Sequence, residues 1–427
     1  MANSHGIVTN ALPSAAPPVT QNFTQTSLGT PLGYLLWGTE CLTLNTDVVD
    51  QSLTNGASDL AAVDGFCHHN NYEDNQVTSD AKTGLYNERV FVQHTPGTDD
   101  DISIVDHNAT ITDGIQLNHT ATSARAKLVT AILLKEGISD LDVQAPQING
   151  TGSTTITTGF QPDIVIAYTP GRDIVNAAVN DFGGGMSFYH ASSDTYANYA
   201  VRGNHADSTP DSAERYEDSE FPGQLGVSSG TYTGSVTLGS FTGTGFDVTK
   251  VSGTSAQYMI WISIKLSAGY SASVGTVTAP TSTGVTSLIT GLGHTPQIAL
   301  FLGTLETAVG GSITQCGFFQ GACTADDEIC VGGFVEDAGG ATQNTNGGSH
   351  QRSDSCIYIT SDDGGTLISK AAFDSFQTDG VDVNFSTAVN PIKIGYLTIG
   401  PDIAAGGLPG RHSIGRGIGR GIGRGIG

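Results

Sequence analysis

Hydrophobic residues along this chain fall into short extended runs, not at helical spacing. In YMIWISIKL, Tyr258, Ile260, Ile262, Ile264 and Leu266 lie on one side of an extended chain, with Met259, Trp261, Ser263 and Lys265 on the other. That alternation is the period of a β-strand, and its first side is wholly apolar. Similar apolar strands close two other stretches, KLVTAILLK and IKIGYLTIG. A matching set opens through Gly and Pro: SLGTPLGYLLWGT at 27–39, TGFQPDIVIAYTP at 158–170 and GLGHTPQIALFLGT at 291–304.

The opening and closing strands belong to a repeated unit. Pro31, Pro162 and Pro296 are separated by 131 and 134 residues. Each opening is followed by a hairpin-like segment, ATITDGIQLN, SFTGTGFDVT or SFQTDGVDVN. The distances from anchor proline to hairpin glycine are 83 residues to Gly114, 83 to Gly245 and 84 to Gly380. These glycines are expected to supply the positive φ of a tight reversal.

The periodicity therefore predicts an all-β chain of three tandem antiparallel β-sandwich domains, jelly-roll-like or Ig-like, at 22–136, 152–267 and 285–400. DVQAPQINGTGS and SAGYSASVGTVTAPTSTG read as linkers, with SVGTVTAP able to add an edge strand. Residues 1–21, rich in Pro, Ala, Ser and Thr, read as an extended N-terminal arm, and 401–427 as a Gly/Ile/Arg C-terminal arm.

Composition agrees with this pattern: 57 Gly, abundant Thr, Ser and Val, and 3 Met in 427 residues argue against a helical protein. The formal net charge of −24 would repel phosphates and anionic membrane surfaces, so neither nucleic acid nor membrane insertion is expected. No run reaches the ~18 apolar residues of a membrane span. The N-terminus lacks the basic and apolar regions of a secretory signal, which points to synthesis in a cytoplasm.

Candidate chemistry is sparse. Gly226-Val-Ser228-Ser-Gly230 fits a nucleophile pattern but lies in a Gly/Ser/Thr loop, away from the strand-to-helix turn that gives the motif meaning. Cys67, His68 and His69 are metal-capable, yet neighbours on a strand point to opposite faces. The acidic clusters at Asp99–Asp101, Glu217–Glu220 and Asp362-Asp363 read as solvated turns with calcium as the alternative. No catalytic set, metal centre or cofactor is expected. Cys41 and Cys67 fall in the first domain, and Cys316, Cys323, Cys330 and Cys356 in the third. Even counts permit disulfides within domains, and cytoplasmic synthesis favours buried thiols.

The pairing of GFQPDIVIAY with a later Ser-Phe-x-x-Asp-Gly turn and the YMIWISIKL strand resembles a module of tailed-bacteriophage structural proteins. The second copy carries the opening at Gly159, Phe160, Pro162 and Asp163, and the third carries the turn at Ser375, Phe376, Asp379 and Gly380. Thr110 and Thr244 depart from the turn pattern, and the first and third openings lack the Phe and Asp. The resemblance implies virion architecture without catalytic residues. It suggests a decoration or fibre subunit on capsid or tail, located at the virion surface, with other virion proteins as partners. The alternative is a receptor-binding adhesin that recognises host surface glycan.

The ending SIGRGIGRGIGRGIG alternates glycine with Ile and Arg. An extended chain of this kind has one bare side and cannot build a core alone. Arg411, Ile414, Arg416, Ile418, Arg420, Ile422 and Arg424 are therefore expected to contact acidic neighbouring copies in a homo-oligomer, a trimer or lattice.

Overall fold

The structure, a computed structural model, describes residues 4–14, 17–60, 65–73, 81–94, 101–121, 127–150, 152–170, 176–204, 212–225, 232–253, 256–313, 316–335, 346–361 and 365–404. Among them there is no helix, and all strand pairing is antiparallel.

Three units follow one another. The first contains β1 (Gly6–Ala11), β2 (Val19–Thr24), β3 (Gly33–Thr39), β4 (Thr46–Val49), β5 (Gln51–Ser58), β6 (Gly65–Tyr72), β7 (Ala81–Asn87), β8 (Phe91–His94), β9 (Asp101–Ile111), β10 (Gly114–Ala121) and β11 (Leu128–Leu134). The second contains β12 (Ile138–Gln144), β13 (Gln147–Ile148), β14 (Ser153–Thr157), β15 (Ile164–Thr169), β16 (Ala177–Asn180), β17 (Phe182–His190), β18 (Thr195–Gly203), β19 (Ser212–Glu217), β20 (Phe221–Leu225), β21 (Tyr232–Thr242), β22 (Gly245–Ser252), β23 (Gln257–Tyr258) and β24 (Ile260–Leu266). The third contains β25 (Tyr270–Thr278), β26 (Gly284–Thr290), β27 (Ile298–Thr304), β28 (Ser312–Ile313), β29 (Cys316–Thr324), β30 (Glu328–Val335), β31 (Gly347–Arg352), β32 (Ile357–Thr360), β33 (Leu367–Gln377), β34 (Gly380–Ala388) and β35 (Lys393–Pro401).

All three units share one strand order. The long sheets run β1-β11-β3-β5-β6-β7, β12-β24-β15-β17-β18-β19 and β25-β35-β27-β29-β30-β31. The facing four-stranded sheets run β2-β10-β9-β8, β14-β22-β21-β20 and β26-β34-β33-β32. Each long sheet gains a seventh strand from another unit: β16 joins β7, β28 joins β19, and β4 joins β31. The exchange runs in one direction around the molecule, from second to first, third to second and first to third. The three units therefore close into a ring within a single chain.

The alternating strand pattern explains how the ring is filled. The inner strands of each long sheet are buried on both faces, so strands such as β3, β15 and β27 are apolar on both sides. Tyr34 and Leu36 point into the first unit's own core, Val165 and Ala167 into the second's, and Ala299 and Phe301 into the third's. The residues between them, including Trp37, Tyr168, Ile166, Leu300 and Leu302, share one core with contributions from all three units. Counted from the anchor prolines, Trp37, Tyr168 and Leu302 are equivalent positions, and the Trp37 indole N–H donates to the Tyr168 hydroxyl at 2.9 Å.

Two expectations change. Within the expected N-terminal arm, residues 6–11 form β1 against β11, and Val19–Thr24 forms β2 against β10. The linker-like segments hold β12, β13 and β25, the last an edge strand that takes in most of SVGTVTAP as the sequence allowed, so the three units run 6–134, 138–266 and 270–401. Polar, half-exposed strands such as VTQNFT lack the apolar run that marks a strand in sequence. The C-terminal arm beyond residue 404 lies outside the described residues.

Gly114, Gly245 and Gly380 do sit at hairpin reversals; Gly245 carries the expected positive φ, at 153°, while Gly114 and Gly380 do not. In the first hairpin the positive φ belongs to Asp113, at 63°. A Cβ on these glycines would lie 1.9 Å from the Phe23 carbonyl oxygen, 1.9 Å from that of Ile156 and 2.4 Å from that of Ile289. Close approach of the neighbouring strand demands glycine at all three positions, and at Gly245 the positive φ demands it as well.

Candidate functional site in the first unit

The three interiors differ in chemistry. The second unit's core is aromatic, with Tyr189, Tyr196, Phe221, Phe246 and Trp261 in mutual ring contact. The third holds Cys323, Cys330 and Cys356 among aliphatic and aromatic side chains. The first has a polar region beside its apolar cluster, with Thr54, His69, Gln93 and His94 buried, and buried functional groups concentrate there.

Alternation along β6 separates its three candidate ligands. His68 faces the second unit, where its Nε2 lies 3.0 Å from the Gly183 carbonyl oxygen. Cys67 joins Tyr86 and Val92 on the other face. His69 lies 2.8 Å from the Thr54 hydroxyl, which donates its own proton to the Val92 carbonyl at 2.9 Å. Thr54 must therefore accept from His69, which places the proton on Nδ1. Nε2 is then an acceptor, facing the His94 backbone N–H at 3.3 Å and the Asn71 amide at 3.4 Å. The rings of His69 and His94 stand 5.1 Å apart, and the Tyr86 hydroxyl bonds His94 Nε2. Burial first, and then the charges of His94, His68 and Lys127, hold His69 well below the usual histidine range. It is neutral at ordinary pH.

A second polar group lies across the gap between the two sheets. Glu40 follows β3, Lys127 precedes β11, and Gln93 sits on β8 of the opposite sheet. Pairing of β3 with β11, continued by the Leu128 N–H to Cys41 carbonyl bond, brings Glu40 beside Lys127. The Glu40 carboxylate contacts the Lys127 ammonium through Oε2 and accepts from the Gln93 amide through Oε1 at 3.0 Å. The side chains of Lys127 and Glu40 are 1% and 5% exposed, and Gln93 is fully buried. Sequence reading missed this trio, since its members are 53 and 34 residues apart along the chain. The available signal was a single one, Lys127 at the mouth of an otherwise apolar closing strand.

The other sequence-derived candidates scatter. All six cysteines are buried thiols; Cys41 faces the carbonyls of Thr46 and Ser349, and burial pushes its thiol up to about 11. Glu217 is held by Arg215 at 2.9 Å. Gly226–Gly230, Asp99, Asp100, Asp362, Asp363 and the seven tail residues from Arg411 to Arg424 lie outside the described residues, as does the Asp101 side chain. Among the described residues, no three His, Cys, Asp or Glu side chains converge as a metal site. Both tryptophans are fully buried. Comparisons with protein-family models, curated proteins and solved structures found no match.

Proposed function

We propose that this chain is a structural protein of a tailed-phage particle, a decoration or fibre subunit at the virion surface. The observation that carries the reading is ring closure by exchanged strands around a common core. Such a body transmits load through backbone pairing between units and suits a site of threefold or pseudo-threefold symmetry on capsid or tail. The resemblance of the repeated opening and turn to phage structural modules supports the same assignment, and the strongly acidic composition suits a protein that must stay soluble at high local density. The adhesin reading is the weaker one: sugar sites favour exposed aromatic platforms, and Trp37 and Trp261 are both in cores.

The C-terminal segment is then the element that contacts other copies, because β1 and β2 commit the N-terminal segment to the chain's own sheets. Immunogold electron microscopy of purified particles tests the assignment. Label at regular positions on capsid or tail is expected; particles that lack the chain overturn it. Deletion of residues 410–427 is expected to leave the ring folded while abolishing incorporation into particles. Undiminished incorporation removes the tail from the assembly mechanism.

A further inference from the structure

The Lys127–Glu40–Gln93 trio has a counterpart that shows what the fold itself requires there. In the third unit, the Lys393 N–H to Glu306 carbonyl bond matches Leu128 to Cys41, and Ala279 to Ile392 matches Leu12 to Lys127. The pairings Ile357 with Ala371 and Phe91 with Val105 match as well. Glu40, Gln93 and Lys127 therefore correspond to Leu305, Ile359 and Ile392, which pack together in an apolar core. The fold is satisfied by three hydrophobic side chains at these places. A buried ion pair seldom improves on them, because removing its charges from water offsets their attraction. All three polar replacements meet at one point, which calls for a chemical reason.

We propose that Lys127 and Gln93 react with each other, Glu40 relaying the protons, to form an intramolecular amide bond between the two sheets of the first unit. The Glu40 carboxylate touches the amine through one oxygen and the carboxamide nitrogen through the other, so nucleophile, proton carrier and electrophile lie in sequence. Gln93 Nε2 is oriented further by the Thr39 carbonyl at 3.2 Å, while its Oε1 is buried without a hydrogen-bond partner. A carbonyl left in that state gains from any change that gives it new partners.

The step balances without oxidant or cofactor. Glu40 takes a proton from the Lys127 ammonium, and the freed Nζ attacks Cδ of Gln93. Glu40 passes the proton to Nε2, takes the second proton from Nζ of the adduct, and the Cδ–Nε2 bond breaks; the displaced nitrogen leaves as ammonia and carries off that second proton as ammonium, which returns Glu40 to its carboxylate. The Nζ–Cδ amide remains. Exclusion of water protects the new bond from hydrolysis. The product would tie β8 of the small sheet to the start of β11 in the long sheet and close a covalent loop over residues 93–127. This inference does not rest on the proposed location in a virion.

Mass spectrometry of the purified full-length chain tests it. The intact mass is expected to fall short of the sequence mass by one ammonia. Because succinimide formation at an asparagine causes the same loss, a tryptic map decides. Cleavage after Lys127 should be blocked, and peptide 90–125 should appear joined through Gln93 to peptide 126–135. Separate peptides cut normally after Lys127 overturn the proposal, as does loss of one water with Lys127 attached to Glu40. K127R should abolish the branched species and E40Q should reduce it at least tenfold, each checked for folding by circular dichroism. Full condensation in folded E40Q removes Glu40 from the mechanism.

Discussion

At the scale of single residues, the repeated units serve as controls for one another. His119 is 1% exposed with both ring nitrogens unpartnered, while the matching position of the third unit is Phe385, equally buried. H119F should therefore stabilise the chain by about 1 kcal/mol in urea unfolding, since it removes buried polar atoms that lack partners. G114A should cost on the order of 3 kcal/mol, because a backbone carbonyl occupies the space its Cβ needs. G243A, with open space around it, should stay within about 0.5 kcal/mol. Burial lowers His68 and His119 to about 4, His5 and His350 to about 3, and His69 in the same direction. A histidine held neutral in the fold stabilises fully above its unfolded value of 6.5, and that contribution is lost as pH falls toward the folded value. Glu306 and Glu328, raised to about 7 by burial, act the opposite way: their contribution is present below 4.5 and lost as pH rises through 7. His107, His190 and His294 are lowered by burial as well, and Asp106, Asp218 and Asp327 raised by it, so eight histidines oppose five carboxylates and Tm should drop between pH 6.5 and 4.5, less steeply in H119F. A level Tm across that interval would contradict the balance.

At the scale of elements, legibility in the sequence followed burial. The strand carrying Ile260, Ile262 and Ile264 was evident because alternation survives even where both faces are covered; the second face, with Met259 and Trp261, serves the unit's own core. The repeat period was equally legible, since the anchor prolines and hairpin glycines mark strand entry and close strand approach. The exchanged strands were not, because two to four residues are too few to show a period and their pairing is decided by distant chain. The Lys127–Glu40–Gln93 trio was hidden for a related reason: its members meet across two sheets. The exchanged β4 is held at its outer end by Asp47, which accepts from Arg352 at 2.6 Å and from the Tyr358 hydroxyl at 2.9 Å. D47A should cost about 1 kcal/mol, a modest loss because the Asp47 side chain is 44% exposed. Replacing Thr46–Val49 by Gly and Ser should accelerate hydrogen exchange in Gly347–Arg352 while sparing the hairpin of β21 and β22. Unchanged protection of Gly347–Arg352 would mean that β4 contributes little to closing the ring.

At the scale of the whole molecule, the common core makes the three units interdependent. Loss of one would expose the inward faces of the other two, including Leu35, Ile166 and Leu300. Calorimetry should accordingly show one cooperative transition with matching calorimetric and van't Hoff enthalpies, and three resolved transitions would refute the coupling. Ring closure within one polypeptide also changes how the assembly responds to concentration. A ring of three separate chains must come apart on sufficient dilution, because its formation is third order, whereas here the partners are tethered and closure is a first-order event. A single copy is already complete at any concentration. Because each position around the axis is encoded separately, Trp37, Tyr168 and Leu302 can differ where identical chains would be forced to repeat one residue. The molecule thereby keeps a threefold outline while carrying three distinguishable sides, so a partner can bind one side without competing for the other two.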